Sequence, residues 1–146
     1  MINYQPIRAR YELAVRDALA GLEPGMVLYY DNVQEEPLPG GSVVEYATIT
    51  ISFPSTSIAD ICGNMQRILG NVQVNIYGPR MDGMKRLEEA AAAVVCTLMN
   101  IHEYPLPENV ITHTQGVAGP NPVLSGNNPQ ALTVVSAPFT ARLESD

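Results

Sequence analysis

Cys96, His102 and His113 are the residues whose types best suit nucleophilic or acid–base chemistry, followed by the adjacent carboxylates Glu35–Glu36 and Glu88–Glu89. A thiol and an imidazole cooperate only when the fold brings them within hydrogen-bond reach, and no local spacing here enforces that meeting. Zinc sites legible in sequence rest on close Cys/His pairs; His102 and His113 make none with each other, with Cys62 or with Cys96. The chain has no Gly-x-Ser-x-Gly elbow and no phosphate-binding glycine loop leading to Lys and Ser/Thr. Neighbouring carboxylates need not converge on one site and read as solvated charge pairs. These residues point to no catalytic centre, no cofactor and no metal. A small cytosolic enzyme using Cys96 or a carboxylate pair is the distant alternative.

The composition bounds what else the chain can do. Its 146 residues are 46% hydrophobic, enough to bury a real core within one domain spanning residues 1–146. No apolar run approaches the roughly 18 residues of a membrane helix. The opening Met1-Ile2-Asn3-Tyr4-Gln5-Pro6 lacks the basic-then-apolar order of a secretion signal, so export is not expected. Two distant cysteines suit a reduced, cytosolic setting, and Cys96, lying among Val94, Val95 and Leu98, reads as a buried thiol. The formal net charge of −7 disfavours a protein that grips nucleic acid by its phosphates, and only Lys85–Arg86 are adjacent cations. An acidic surface instead suits a wall past which DNA slides.

The elements follow from apolar periodicity. Ile7, Tyr11, Ala14, Val15, Ala18, Leu19 and Leu22 recur at helical steps, with Pro6 at the start and Gly21 and Pro24–Gly25 at the stop. Residues 26–30 read as a short strand and 35–41 as a Pro/Gly loop. A strong strand spans 43–53, with Ala47, Ile49, Ile51 and Phe53 alternating against polar residues. Residues 54–57 read as a turn, and 65–77 as a second long strand with a bulge at Gly70–Asn71. Asp82 caps a second helix whose stripe is Met84, Leu87, Ala91, Val94, Val95 and Leu98, ending near Asn100. A strand region over 109–117, a Gly/Pro/Asn loop over 118–130 and a last strand over 132–143 complete the chain. Pro138 in that strand suggests an edge position or a bulge. The order predicts an α+β fold, a mostly antiparallel, mixed sheet with two α-helices packed on one face.

The polar strand faces are unusual in carrying few charges: Thr48, Thr50, Ser52, Gln73, Asn75 and Thr140. Free edges and faces usually carry charged gatekeepers. Either these faces are covered or line an enclosed surface, or they are a plain Thr-rich sheet favoured by strand propensity. Interface candidates are Tyr46, Thr48, Thr50, Gln73 and Asn75 on the strands, with Glu35, Glu36, Asn127 and Asn128 in the loops.

The motif order resembles that of the tail terminator proteins of long-tailed bacteriophages, including the lambda-like group. An amphipathic helix, a short strand and the loop Asp31-Asn32-Val33-Gln34-Glu35-Glu36-Pro37 come first. The strand end Val72-Gln73-Val74-Asn75-Ile76-Tyr77-Gly78-Pro79 then leads into a helix with Gly83, Leu87, Ala91 and Val95, and Val134-Val135-Ser136-Ala137-Pro138-Phe139-Thr140-Ala141 forms the last strand. The stretch 55–64 and the loop 118–130 depart from the pattern. The resemblance implies a virion protein assembled in the host cytoplasm, a homo-oligomer forming a hexameric ring at the head-proximal end of the tail. Such a ring caps the tail tube protein, stops polymerisation and meets a neck or head-completion protein, with DNA only passing through the channel and no membrane involved. Another neck or head–tail joining ring, or the tube protein itself, is the nearest alternative.

Overall fold

The computed structural model describes residues 4–22, 25–30, 46–58, 65–79, 85–101, 110–114, 116–123 and 130–144. Two helices, α1 (Gln5–Ala20) and α2 (Lys85–Met99), accompany β1 (Val27–Tyr30), β2 (Tyr46–Ile58), β3 (Met65–Pro79), β4 (Val110–Thr114), β5 (Ala118–Val123) and β6 (Gln130–Glu144). The sheet order is β1-β2-β3-β6-β4, with β5 also paired to β6. Among the described strands only the β1–β2 pair is parallel. The expected α+β class therefore holds, with both helices on one face of a mixed, mostly antiparallel sheet.

Alternation decides which face is which. Ala47, Ile49 and Ile51 of β2, Ile68, Val72, Val74 and Ile76 of β3, and Val135, Ala137, Phe139 and Ala141 of β6 are buried in one cluster. Ile7, Tyr11, Ala14, Val15 and Leu19 of α1 and Leu87, Ala90, Ala91, Val94 and Leu98 of α2 cover that face. The small side chains of Ala90 and Ala91 let α2 sit close to the strands. Pro6 occupies the first turn of α1, where a missing N–H costs nothing, and the Gly21 N–H closes the helix on the Asp17 carbonyl at 3.1 Å. Arg10 was not expected in the stripe, yet it is only 5% exposed. Burial pushes its guanidinium below the ordinary arginine range, partly opposed by neighbouring Tyr11.

Several local expectations are corrected. Residues 54–57 are not a turn: β2 continues to Ile58, and its register with β3 shifts between Ser52 and Ser55. The irregularity thus lies on β2, where Phe53 and Pro54 stand against Gly70, while β3 pairs with β6 without interruption. Pro54 lacks a donor and tolerates the position where the ladder lapses. Pro138 is not on an edge strand, but among the described residues no strand pairs with it on its second side. It lies in β6 opposite Asn71, where the other neighbour changes from β4 to β5. The segment read as a loop over 118–130 contains β5, whose Gly119 takes a left-handed φ of 114° and lies against the Val134 carbonyl oxygen. Asp82, Met84 and the segment 59–64 fall outside the described residues.

The bulge is held from the helix layer. The Tyr4 hydroxyl is 2.9 Å from Thr56 Oγ1, and the Tyr4 ring meets Phe53 at 4.6 Å between centroids. Arg8 donates from Nη2 to the Ile51 carbonyl at 3.2 Å, and its Cζ lies 5.5 Å from the Phe53 ring centre. Phe139 completes the cluster, 4.7 Å from Tyr11 and 6.1 Å from Phe53, with its ring over the bare Cα of Gly70. A glycine opposite an aromatic ring is what a bulged, strongly twisted sheet accommodates.

Candidate functional site

The face of the sheet turned away from the helices gathers the candidates that sequence reading took from separate strands. In register, Tyr46 opposes Tyr77, Thr48 opposes Asn75, Thr50 opposes Gln73 and Ser52 opposes Asn71. Across β6 the same face continues as Leu132, Val134, Ser136 and Pro138. All five strand-face candidates, Tyr46, Thr48, Thr50, Gln73 and Asn75, therefore share one contiguous surface. Glu35, Glu36, Asn127 and Asn128 lie outside the described residues.

Two features organise this surface. At the β1 end, the Tyr46 and Tyr77 rings stack at 4.6 Å with 13° between planes, and Tyr29 meets Tyr46 edge-on at 6.0 Å. Aromatic cross-strand pairs stabilise a sheet, but three half-buried tyrosines also form a rigid surface of the kind enriched at protein interfaces. Along the strands, Gln73 donates from Nε2 to Asn75 Oδ1 at 3.0 Å, so part of the amide hydrogen-bonding capacity is already internal. Among the described residues from the tyrosines to the bulge, this face carries no charge. Covering it with another surface therefore incurs no cost of desolvating an ion.

Beyond the bulge the character changes. Arg67 of β3 and Arg142 of β6 are directly opposite in register, and both are exposed. Leu69, 37% exposed, lies next to them on β3. Like charges facing each other across an antiparallel pair destabilise it. Among the residues whose side chains are described no carboxylate is paired with either arginine. Sequence reading missed this pair and the part played by Tyr29 and Tyr77. Odd-numbered positions on β3 face outward, which places Arg67; its meeting with Arg142 depends on register.

Residues with catalytic potential are not drawn together in the described part. Cys96 is an exposed free thiol on α2, contrary to its expected burial, because it falls on the side of the helix away from Leu87, Val94 and Leu98. Asn100 caps that end, donating from Nδ2 to the Cys96 carbonyl at 3.0 Å. His113 is in β4, paired in register with Thr140, and His102 and Cys62 lie outside the described residues. Among the described residues no group of three His, Cys, Asp or Glu side chains is placed to hold a metal. Among the described residues no helix is long and apolar enough to cross a membrane.

No protein-family model and no curated protein matches the sequence. Solved structures do resemble the fold. One chain without a functional description aligns over 100% of this protein and 99% of itself, at 19% identity and a TM-score of 0.63. A chain from the virion of a native gene transfer agent particle aligns over 98% of this protein and 100% of itself, at 18% identity and a TM-score of 0.59. The class these likenesses define is a fold: an α+β domain shared over full length with a chain of that virion.

Proposed function

We propose that this protein is a structural component of a phage-like virion, a tail terminator. Its domain, residues 1–146, joins copies of itself into a hexameric ring at the head-proximal end of the tail. The ring caps the tail tube, halts its polymerisation and presents the surface that meets a neck or head-completion protein. It works by recognition and not by turnover, with DNA only passing through the central channel. The observation that carries this reading is the tyrosine-bearing stretch of the sheet face opposite the helices, uncharged among the described residues from the tyrosines to the bulge. The full-length likeness in fold to a gene transfer agent virion chain supports the same reading.

The physical logic runs from that face to the ring. A stretch of surface without charges is inexpensive to cover, and its tyrosines provide large contact area at low entropic cost. A closed ring satisfies every heterologous interface and leaves no growing end, which is how a terminator differs from a tube. The formal charge of −7 per copy supplies an electronegative body that DNA can traverse without adhering.

The test is assembly with purified tail tube protein. Native mass measurement and electron microscopy should show six-membered rings, alone or on tube ends, and tube elongation should stop when the protein is added. A chain that stays monomeric with tube protein present overturns the reading, and a chain that polymerises into long tubes by itself marks the tube protein instead.

A further inference from the structure

We propose that copies of this chain associate head to tail, with the Arg67–Arg142 pair of one sheet face seated on the exposed Glu88–Glu89 pair of α2 in the next copy. The inference deepens the ring reading by naming the contact and its direction.

Three observations carry it. Arg67 and Arg142 are exposed and directly opposed in register, an arrangement that repels until an anion lies between the guanidinium groups. The protein has 15 acidic against 8 basic residues, so a second copy is a source of such anions. The helix layer also places an acidic pair on the opposite side of the same domain. Leu87, Val94 and Leu98 bury one side of α2, which turns Glu88 and Glu89 outward with Ala92, Cys96 and Met99. The same helix starts with Lys85, which is exposed, and Arg86, which is half-buried, so the outward pair Glu88–Glu89 is the more exposed charge of the two signs.

The geometry sets the type of assembly. The sheet face and the outer face of α2 look in opposite directions from a two-layer domain. A patch on one side that complements a patch on the other gives a heterologous interface, which closes into a ring when the rotation per copy allows. An exposed apolar side chain accompanies the arginines: Leu69 is 37% exposed beside them. Bidentate guanidinium–carboxylate pairing then fixes register and direction more than it adds affinity.

Charge exchange tests this on the full chain. The R67E/R142E and E88K/E89K variants, both at exposed positions, should fold with unchanged circular dichroism and each lose ring assembly, raising the assembly midpoint concentration at least about tenfold at low salt. Mixing the two variants, or combining all four substitutions in one chain, restores complementary faces and should recover rings. Wild-type assembly should weaken as salt screens the contact. Loss of rings in both variants without rescue overturns the pairing, as does normal assembly of either variant. If R67E/R142E assembles normally but its rings interact differently with DNA, the arginines serve the channel and the proposal fails. Wild-type rings unaffected by all these charges refute this contact and leave the terminator reading standing. A wild-type chain that is monomeric even with tube protein overturns both.

Discussion

Gly70 provides the most direct test of how this sheet is built. An alanine Cβ there meets the Phe139 ring, with Cε1 and Cε2 each at 2.6 Å, where ordinary carbon contacts lie at ~3.5–4.0 Å. Cζ lies closer still, so the ring has to retreat by about 1.5 Å, yet it is 1% exposed and bounded by Tyr11 at 4.7 Å and Phe53 at 6.1 Å. Overpacking of this kind costs about 1–3 kcal/mol, and disturbing two aromatic pairs adds up to about 1 kcal/mol each. Against this, Gly→Ala gains about 0.4–1 kcal/mol by restricting the unfolded chain. The expected net loss for Gly70→Ala is about 2–3 kcal/mol, read by urea unfolding at constant protein concentration. Leucine at position 139 lacks the ring atoms that collide, so G70A/F139L should be less destabilised than the sum of its single variants by at least about 1 kcal/mol. Additive losses, or a Gly70→Ala cost below about 0.5 kcal/mol, refute the account of Phe139 as a ring resting on a required glycine.

Three further outcomes follow from the same packing. Thr133 is fully buried and its Oγ1 has no hydrogen-bond partner among the described residues, so Thr133→Val should stabilise by about 1 kcal/mol in the same assay; a loss of stability shows that the hydroxyl is satisfied. Burial raises the Tyr11 phenol to about 12, opposed by its hydrogen bond to Thr114 and by Arg10. The unfolded chain releases that proton near its ordinary value of 10 while the folded chain keeps it, so stability is complete below that pH and falls by roughly 2–3 kcal/mol on the way to 12. Tyr11→Phe should remove this alkaline slope relative to the parent, and an unchanged slope places its origin elsewhere. On the outer face, Tyr77→Ser removes the ring stacked on Tyr46 and should lower ring assembly about tenfold or more while shifting the thermal midpoint by only a few degrees. Intact assembly in a folded Tyr77→Ser protein removes the tyrosines from the interface.

Much of the fold was legible because its signals are local. Alternation at Ala47, Ile49 and Ile51 and at Val72, Val74 and Ile76 requires one buried and one outward face, whatever the partner strand. The stripes of α1 and α2 likewise specify which helix side is buried. What failed locally did so for identifiable reasons. Ala118–Val123 contains two prolines and a glycine and reads as a loop; pairing with β6 makes it a strand, since tertiary context overrides propensity. Proline at 54 reads as a turn, but a bulge opposite Gly70 absorbs it without breaking the strand. Cys96 has apolar neighbours in sequence, yet helical rotation turns it to the exposed side.

By itself, then, the sequence determined the α+β class, the inward and outward parity of each long strand, the absence of local catalytic motifs and the sparse charge of the polar strand positions. Tertiary structure alone decided which outward residues became neighbours. The stacking of Tyr46 on Tyr77, the alignment of Thr48 with Asn75 and the opposition of Arg67 and Arg142 all depend on strand register. Parity is a property of one strand and is written every second residue. Register is a property of two strands, set by packing the whole inner face against the helices, and a slip of one residue would turn every one of these side chains to the other side.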